Sequence, residues 1–293
     1  MARRGRGSFW LGAAFTLFVL FLYGPILTIL VLSFQGPTGG LTFPMRGFSV
    51  HWFGSLWSGL GVVDIWSAFG RSARLGGAVM ALTVVISLLA GYAFRRGFRG
   101  ATLVFYTAVA SLIVPSIVVS IGIGVQFRLL DDLVHWVAES AGWSWLGEHF
   151  TTSAGTFTSG LGAHLTWTLP FGLLIMFAVF NRFDARYEEA ARDLGASPWQ
   201  TFRYVVLPMI APSLVGIGLF GFTLSWDEVA RSSQAMGSDQ NTLPLELTGL
   251  TTTITNPEIY ALGTMTTGVS LLVIVAALLT IRSLRRSPAR PAG

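Results

Sequence analysis

An all-α membrane protein with six transmembrane helices and no soluble domain is the fold the sequence predicts, and three observations lead there. Only 11% of the 293 residues are charged and the mean hydropathy is +0.63, whereas a soluble domain carries about 25% charged residues. Six apolar runs approach the roughly 20 residues needed to cross a hydrocarbon core. The arginines, finally, gather in alternate gaps between those runs.

The first run, at about 9–34, follows Arg3, Arg4 and Arg6 and so begins like a secretion signal. It is longer than a signal's apolar region and lacks a small-residue cleavage site after it, so a retained anchor is expected. Five more spans are expected at about 74–94, 101–127, 161–180, 208–226 and 259–281. Pro115 and Pro170 fall inside the third and fourth, where they predict kinks, since neighbouring groups in a membrane helix can satisfy the freed carbonyls. The whole chain, 1–293, reads as one transmembrane domain.

Arginine and lysine accumulate in short cytoplasmic loops. With the N-terminus inside, the cytoplasmic side holds 14 of the 19 basic residues and the outer side 10 of the 14 acidic ones. Both termini are then cytoplasmic. Trp52, Trp57, Trp66, Trp136, Trp143 and Trp145 fall on the outer side, where indole rings suit the interface. The outer segment at about 35–73 reads as a partly ordered connector. The one at 128–160 opens with Leu129, Leu130, Leu133, Trp136 and Val137 on one helical face, as expected of a short amphipathic helix lying on the membrane or on a neighbour. The third, 227–258, is polar and Thr-rich, with Pro244 and Pro257 as breakers.

Every basic residue is arginine and there is no cysteine. A phosphate-binding G-x-x-x-x-G-K-[ST] loop requires its lysine, so ATP hydrolysis would have to occur on another chain. Disulfides, thiolate nucleophiles and Cys-ligated metals are excluded. Arginines that flank apolar spans suit membrane orientation and not nucleic acid. His51, His135, His149 and His164 are too dispersed to suggest a metal cage, and no Ser-His-Asp set has local support. No catalytic residue is expected. Gly216, Gly218 and Gly221 match G-x-G-x-x-G, but inside an apolar span they read as close helix packing.

The segment 182–207 carries eight charges between Arg182 and Arg203, too many for the bilayer at about 2.5–3.5 kcal/mol each near its centre. Phe183, Tyr187, Ala190, Ala191 and Leu194 predict one apolar stripe on a helix of about three turns. Gly195 suits the helix end. Ser197-Pro198-Trp199-Gln200 has the cap residues that restart a helix, before Leu207-Pro208 enters the fifth span. A compact knob with alanines on one side suits docking into a partner's groove.

Glu189-Ala190-Ala191, Gly195, Val205 and Leu207-Pro208 stand in the register of the EAA signature, and the chain therefore resembles the permeases of binding-protein-dependent ABC importers (type I, MetI-like fold). Leu224 to Val229, Thr242 to Leu245, Pro257 to Ile259 and Tyr23-Gly24-Pro25 are similar to the C-type permeases of spermidine/putrescine importers. The resemblance implies that Glu189, Ala190, Ala191, Gly195, Leu207 and Pro208 belong to an element that couples to an ATPase. It further implies a second homologous permease, two ATPase subunits that bind ATP and Mg, an extracytoplasmic solute-binding protein and a bacterial inner-membrane location. The chain itself is then a transport subunit with no cofactor and no enzymatic activity.

Trp226, Asp227 and Glu228 are suitable types for cationic cargo, through charge pairing and cation–π contact; the other reading of the acids is capping, or pairing with Arg231. Ser116, where polyamine-type permeases usually carry Asp, and Arg231, where an aliphatic residue is common, depart from that pattern. Ser116 and Arg231 therefore join the candidate pathway residues, and iron, phosphonate or an organic anion stays open as alternative cargo. An ion-coupled secondary transporter should show midplane acids and paired repeats, which this sequence does not clearly show.

Overall fold

The computed structural model describes residues 6–58, 64–237, 240–253 and 256–286. Arg3, Arg4 and Arg290, which enter the orientation argument, lie outside them. The described backbone is helical, with one isolated bridge, between Gln35 and Phe48, and no named strand among the described residues. In chain order the helices are α1 (Arg6–Leu32), α2 (His51–Ser58), α3 (Ile65–Arg95), α4 (Ala101–Ala110), α5 (Ser116–Ser140) and α6 (Ser144–His149). Then come α7 (Leu161–Asn181), α8 (Arg186–Asp193), α9 (Pro198–Thr201), α10 (Leu207–Trp226), α11 (Ser232–Ala235), α12 (Leu243–Leu250) and α13 (Glu258–Arg286). Among the described residues, five helical stretches are long and apolar enough to cross a membrane: Phe9–Leu32, Ile65–Arg95, Thr156–Asn181, Pro198–Trp226 and Glu258–Leu284.

The span expected at 101–127 is not one helix. It divides into α4 and α5 around 111–115, and Pro115 adopts φ −55°, ψ 133° as the cap of α5. Proline fixes its own φ, lacks the N–H an interior helix position would donate, and pushes Val114 out of helical conformation; here those effects end a helix where a kink was expected. The amphipathic helix expected after 128 is likewise the continuation of α5. The second span begins nine residues earlier than its apolar core suggests, at Ile65.

Two compact units divide the chain. In the first, Met1–Ile65 with Leu247–Val269, residues 35–58 of the connector expected at 35–73 are organised on Gln35, and from Ile65 that stretch belongs to α3. The fully buried Gln35 amide donates to the carbonyls of Gly40 and Thr42 and accepts from the Arg46 N–H at 2.6 Å. Trp52 of α2 donates its indole N–H to the Gln35 carbonyl at 2.8 Å. The Gln35 amide and the Trp52 indole are thus both partnered, as burial requires.

The second unit, Trp66–Glu246 with Ser270–Gly293, centres on Met176, Phe180, Val206, Ile210 and Ile217, with Val84, Leu88 and Tyr92 of α3 packed against them. Small residues bring α3 and α7 together. A Cβ on Gly172 would sit 2.1 Å from Ser87 Oγ, and one on Gly91 2.8 Å from Met176 Cβ. Of the three glycines read as packing residues, Gly218 and Gly221 face Met80, Thr83 and Val84 of α3, whereas Gly216 faces open space. In membranes such close backbone approach is what holds helices together.

Candidate functional site

Two places in the second unit bring together the residues singled out from sequence. The first is the charged segment after α7. Helix α8 is shorter than expected, at eight residues, and ends in Gly195 at φ +87°, a left-handed conformation that favours glycine. Ser197 then forms the anticipated capping box: its hydroxyl accepts from the Gln200 N–H at 3.3 Å and the Gln200 side-chain Oε1 accepts from the Ser197 N–H at 2.8 Å. From Pro198 the helix runs on to Trp226. A wide turn over Phe202–Val206 lets the Leu207 N–H reach the Phe202 carbonyl. Pro208 lacks the N–H that a regular α-turn would use here, so a widened turn fits the Leu-Pro step.

The two faces of this segment differ. Outward stand Tyr187, Glu189, Ala190, Leu194 at 90% exposure and Trp199 at 65%. Glu189 makes no side-chain hydrogen bond or ion pair among the described residues. Inward, Glu188 accepts from Arg95 at the end of α3 at 2.5 Å, with side-chain exposures of 10% and 19%, and lies 3.9 Å from Arg192. The Arg95 guanidinium lies 4.9 Å from the Phe183 ring and 5.7 Å from that of Phe180. The stripe expected from spacing thus divides: Phe183 turns inward to Arg95, and Tyr187, Ala190 and Leu194 stay uncovered. Glu188 and Arg95 escaped the sequence reading because an acid beside the Glu189 motif residue gives no sign of which one faces in.

The second place lies around Arg231, which is 1% exposed. Its Nη1 donates to Ser116 Oγ at 2.6 Å and lies 3.4 Å from Glu228 Oε2, while its guanidinium stacks 4.4 Å from the Trp167 ring. Ser120 of α5 donates to the Arg231 carbonyl at 2.8 Å and accepts from the Gln234 N–H at 3.0 Å. His164 bridges Ser225 and Ser232 through its two ring nitrogens, at 2.8 and 3.0 Å. Arg231 Nε and Nη2 are buried without a hydrogen-bond partner.

Ser116, Glu228 and Arg231 are therefore brought together. Trp226 is not among them; it is buried between Phe222 and Phe69. Asp227 has no side-chain partner among the described residues, and burial, followed by the neighbouring Glu228 carboxylate, pushes its carboxyl above the ordinary carboxylate range. The pairing with Arg231 belongs to Glu228, three residues before it, not to Asp227. Trp167 was missed and His164 was weighed only as a metal ligand, although polar side chains inside an apolar span are functional candidates by default. No group of three or more His, Cys, Asp or Glu capable of holding a metal occurs among the described residues.

Residues 83–286 match the family model described as "binding-protein-dependent transport system inner membrane component". The chain is 31% identical over 275 residues to the spermidine/putrescine transport system permease protein PotC of Haemophilus influenzae, covering 94% of this chain and 97% of that one. Similarity to PotC of Escherichia coli K12 is 29% over 272 residues, covering 92% and 93%. To the putrescine transport system permease protein PotI of the same strain it is 28% over 250 residues, covering 85% and 82%. Among solved structures, a chain of a bacterial ABC transporter that imports the acidic polysaccharide alginate has a similar fold, with TM-score 0.61 at 15% identity, covering 97% and 99%. A chain of the MetNI methionine ABC transporter gives TM-score 0.53 at 15% identity, covering 79% and 98%.

Proposed function

The chain belongs to the family of binding-protein-dependent transport system inner membrane components, and from that premise we propose that it forms half of a solute pathway driven by ATP hydrolysis on a separate subunit. The observation that carries the reading is the two-faced segment from Arg186 to Thr201. One side is fastened to α3 through Arg95 and Glu188, while Tyr187, Ala190, Leu194 and Trp199 remain uncovered on the other. An exposed apolar face on a rigidly held, charge-bearing knob is what a partner's groove requires. Glu189, Ala190, Ala191 and Gly195 would seat in that groove on an ATPase, with Leu207 and Pro208 carrying its displacement into α10. A second, similar permease, two ATPase subunits and an extracytoplasmic binding protein complete the assembly in the inner membrane, with both termini in the cytoplasm. Each bound ligand would favour one of two conformations through its differential contacts.

The cargo is a polyamine such as spermidine or putrescine. The names of the PotC and PotI relatives support this, as does Asp227 at the end of α10, whose carboxyl has no side-chain partner among the described residues. Carboxylates and indole faces are the groups that attract ammonium. The buried Arg231 beside Ser116 favours a second reading, a small organic anion, phosphonate or iron complex, because its Nε and Nη2 have no acceptor among the described residues. Uptake of labelled spermidine into cells that express the chain with its neighbouring ATPase and binding protein tests both readings. Accumulation that stops on ATP depletion at clamped membrane potential supports the polyamine importer. ATP-dependent uptake of an anion alone transfers the assignment to the second reading, and uptake that follows only an ion gradient refutes both.

A further inference from the structure

Arg71 and Arg74, the loop Thr152–Thr158 and Gln240 line an open cavity of about 430 Å³ in the second unit. Helix α3 has 31 residues, about 46 Å at 1.5 Å per residue, which exceeds the roughly 30 Å hydrocarbon core. Its Arg71 end therefore lies at the membrane face opposite the Arg95 end that holds the charged segment. Arginines on that face run against the general distribution of basic residues in this chain.

The hydrogen bonds around the cavity spend its hydroxyl donors and leave guanidinium and amide donors without an acceptor among the described residues. Thr152 and Ser153 give their hydroxyls to Asp131, at 2.6 and 2.5 Å, and Ser153 adds its N–H at 2.7 Å. Thr156 directs both its N–H and its hydroxyl to Gln240 Oε1, at 2.8 and 3.0 Å. Thr158 donates to the Ser153 carbonyl at 2.7 Å, and Gly155 N–H donates to Ser159. Arg71 Nε donates to the Asn241 carbonyl and Arg74 Nε to that of Gly70. The Nη groups of both arginines and the Gln240 Nε2 amide have no acceptor among the described residues. Among the described residues no acidic side chain lines the cavity, and the nearby Asp131 is occupied by Thr152 and Ser153.

We propose that this cavity is a binding site for one phosphate-type oxyanion, held by the two guanidinium groups and the Gln240 amide. Paired arginine forks match the planar edges of such a group. The anion comes either from a phospholipid headgroup at this interface or from free phosphate. Nothing in the site depends on the cargo or on the ATPase.

The test uses the full chain, with the subunits that co-purify, in nanodiscs of phosphatidylcholine or phosphatidylglycerol. Radiolabelled inorganic phosphate is titrated and thermal stability followed. Saturable phosphate binding in phosphatidylcholine, at one per chain, is expected. Loss of that binding in phosphatidylglycerol identifies the headgroup as the source, and its persistence identifies free phosphate. Arg71→Gln with Arg74→Gln should weaken binding about tenfold or more. Gln240→Glu keeps the acceptor for Thr156 but places a carboxylate in the cavity, and should abolish binding in a folded protein. The proposal is overturned if phosphate fails to bind and the two lipids give equal stability, if the double arginine variant binds as tightly as the parent, or if binding survives Gln240→Glu.

Discussion

Replacing Glu188 with glutamine should loosen the segment from Arg186 to Thr201 while leaving membrane insertion intact. The side chains of Arg95 and Glu188 are only 19% and 10% exposed at 2.5 Å separation. The pair therefore stands between exposed ion pairs, worth about 0–1 kcal/mol, and fully buried ones, whose disruption costs about 3–5 kcal/mol. Glutamine retains a neutral acceptor, and the Phe180 and Phe183 rings still face the guanidinium, which places the cost near 2 kcal/mol. If local opening limits exchange, amide hydrogens of α8 and α9 should then exchange about 30-fold faster by mass spectrometry. Glu189→Gln is the internal control: Glu189 is exposed, so exchange should not change, yet retention of the ATPase should weaken. Exchange in Glu188→Gln within about twofold of the parent would refute the strut between α3 and α8. Equal acceleration in both variants would refute the assignment of opposite faces.

Gly195→Asp puts a side chain into φ +87°, a region Asp tolerates better than most residues, so its main effect is a negative charge on the exposed face. ATPase co-purification and uptake should be lost with insertion retained, as immunoblots and transport assays would read. Arg231→Ala removes the partner of Glu228 and the group stacked on Trp167; melting in detergent should reveal a loss of about 3–5 kcal/mol, and Arg231→Met a smaller one because it refills the volume. At Asp131, burial pushes the carboxyl up, but the Ser153 and Thr152 donors, with His135, more than offset it and hold it below its ordinary 3.8. A carboxyl depressed in the folded state stabilises above its unfolded pKa and loses that contribution as pH falls through the folded one. The parent should therefore keep loop 152–158 protected from proteolysis to lower pH than an ordinary carboxylate would allow, with protection falling on further acidification. In Asp131→Asn that acid transition should be absent.

Periodicity and charge made the long elements legible, because a span, a Gly turn and a Ser-Pro-x-Gln cap each depend on residues close in sequence. The division at Pro115 was less so. A proline inside an apolar run fits a kink or a break equally well, and the outcome depends on what Ser111 and Ser116 reach: the Thr166 carbonyl and Arg231. The site was half legible for the same reason. Ser116 and Arg231 stood out as departures, but their contact bridges 115 residues, and no local pattern encodes such a distance. Which of Glu188 and Glu189 faces inward likewise depends on Arg95, on another helix.

A photo-crosslinking residue at Leu194, with a second at Phe157 beside the cavity on the far face, tests the central claim most directly. In native membranes the Leu194 probe should join the chain to a nucleotide-binding ATPase subunit, identified by mass spectrometry, and Gly195→Asp should abolish that product. The Phe157 probe should give no ATPase product. Absence of the ATPase from the Leu194 product, or its equal capture by both probes, would contradict the account of Arg186–Thr201 as the element that meets the motor.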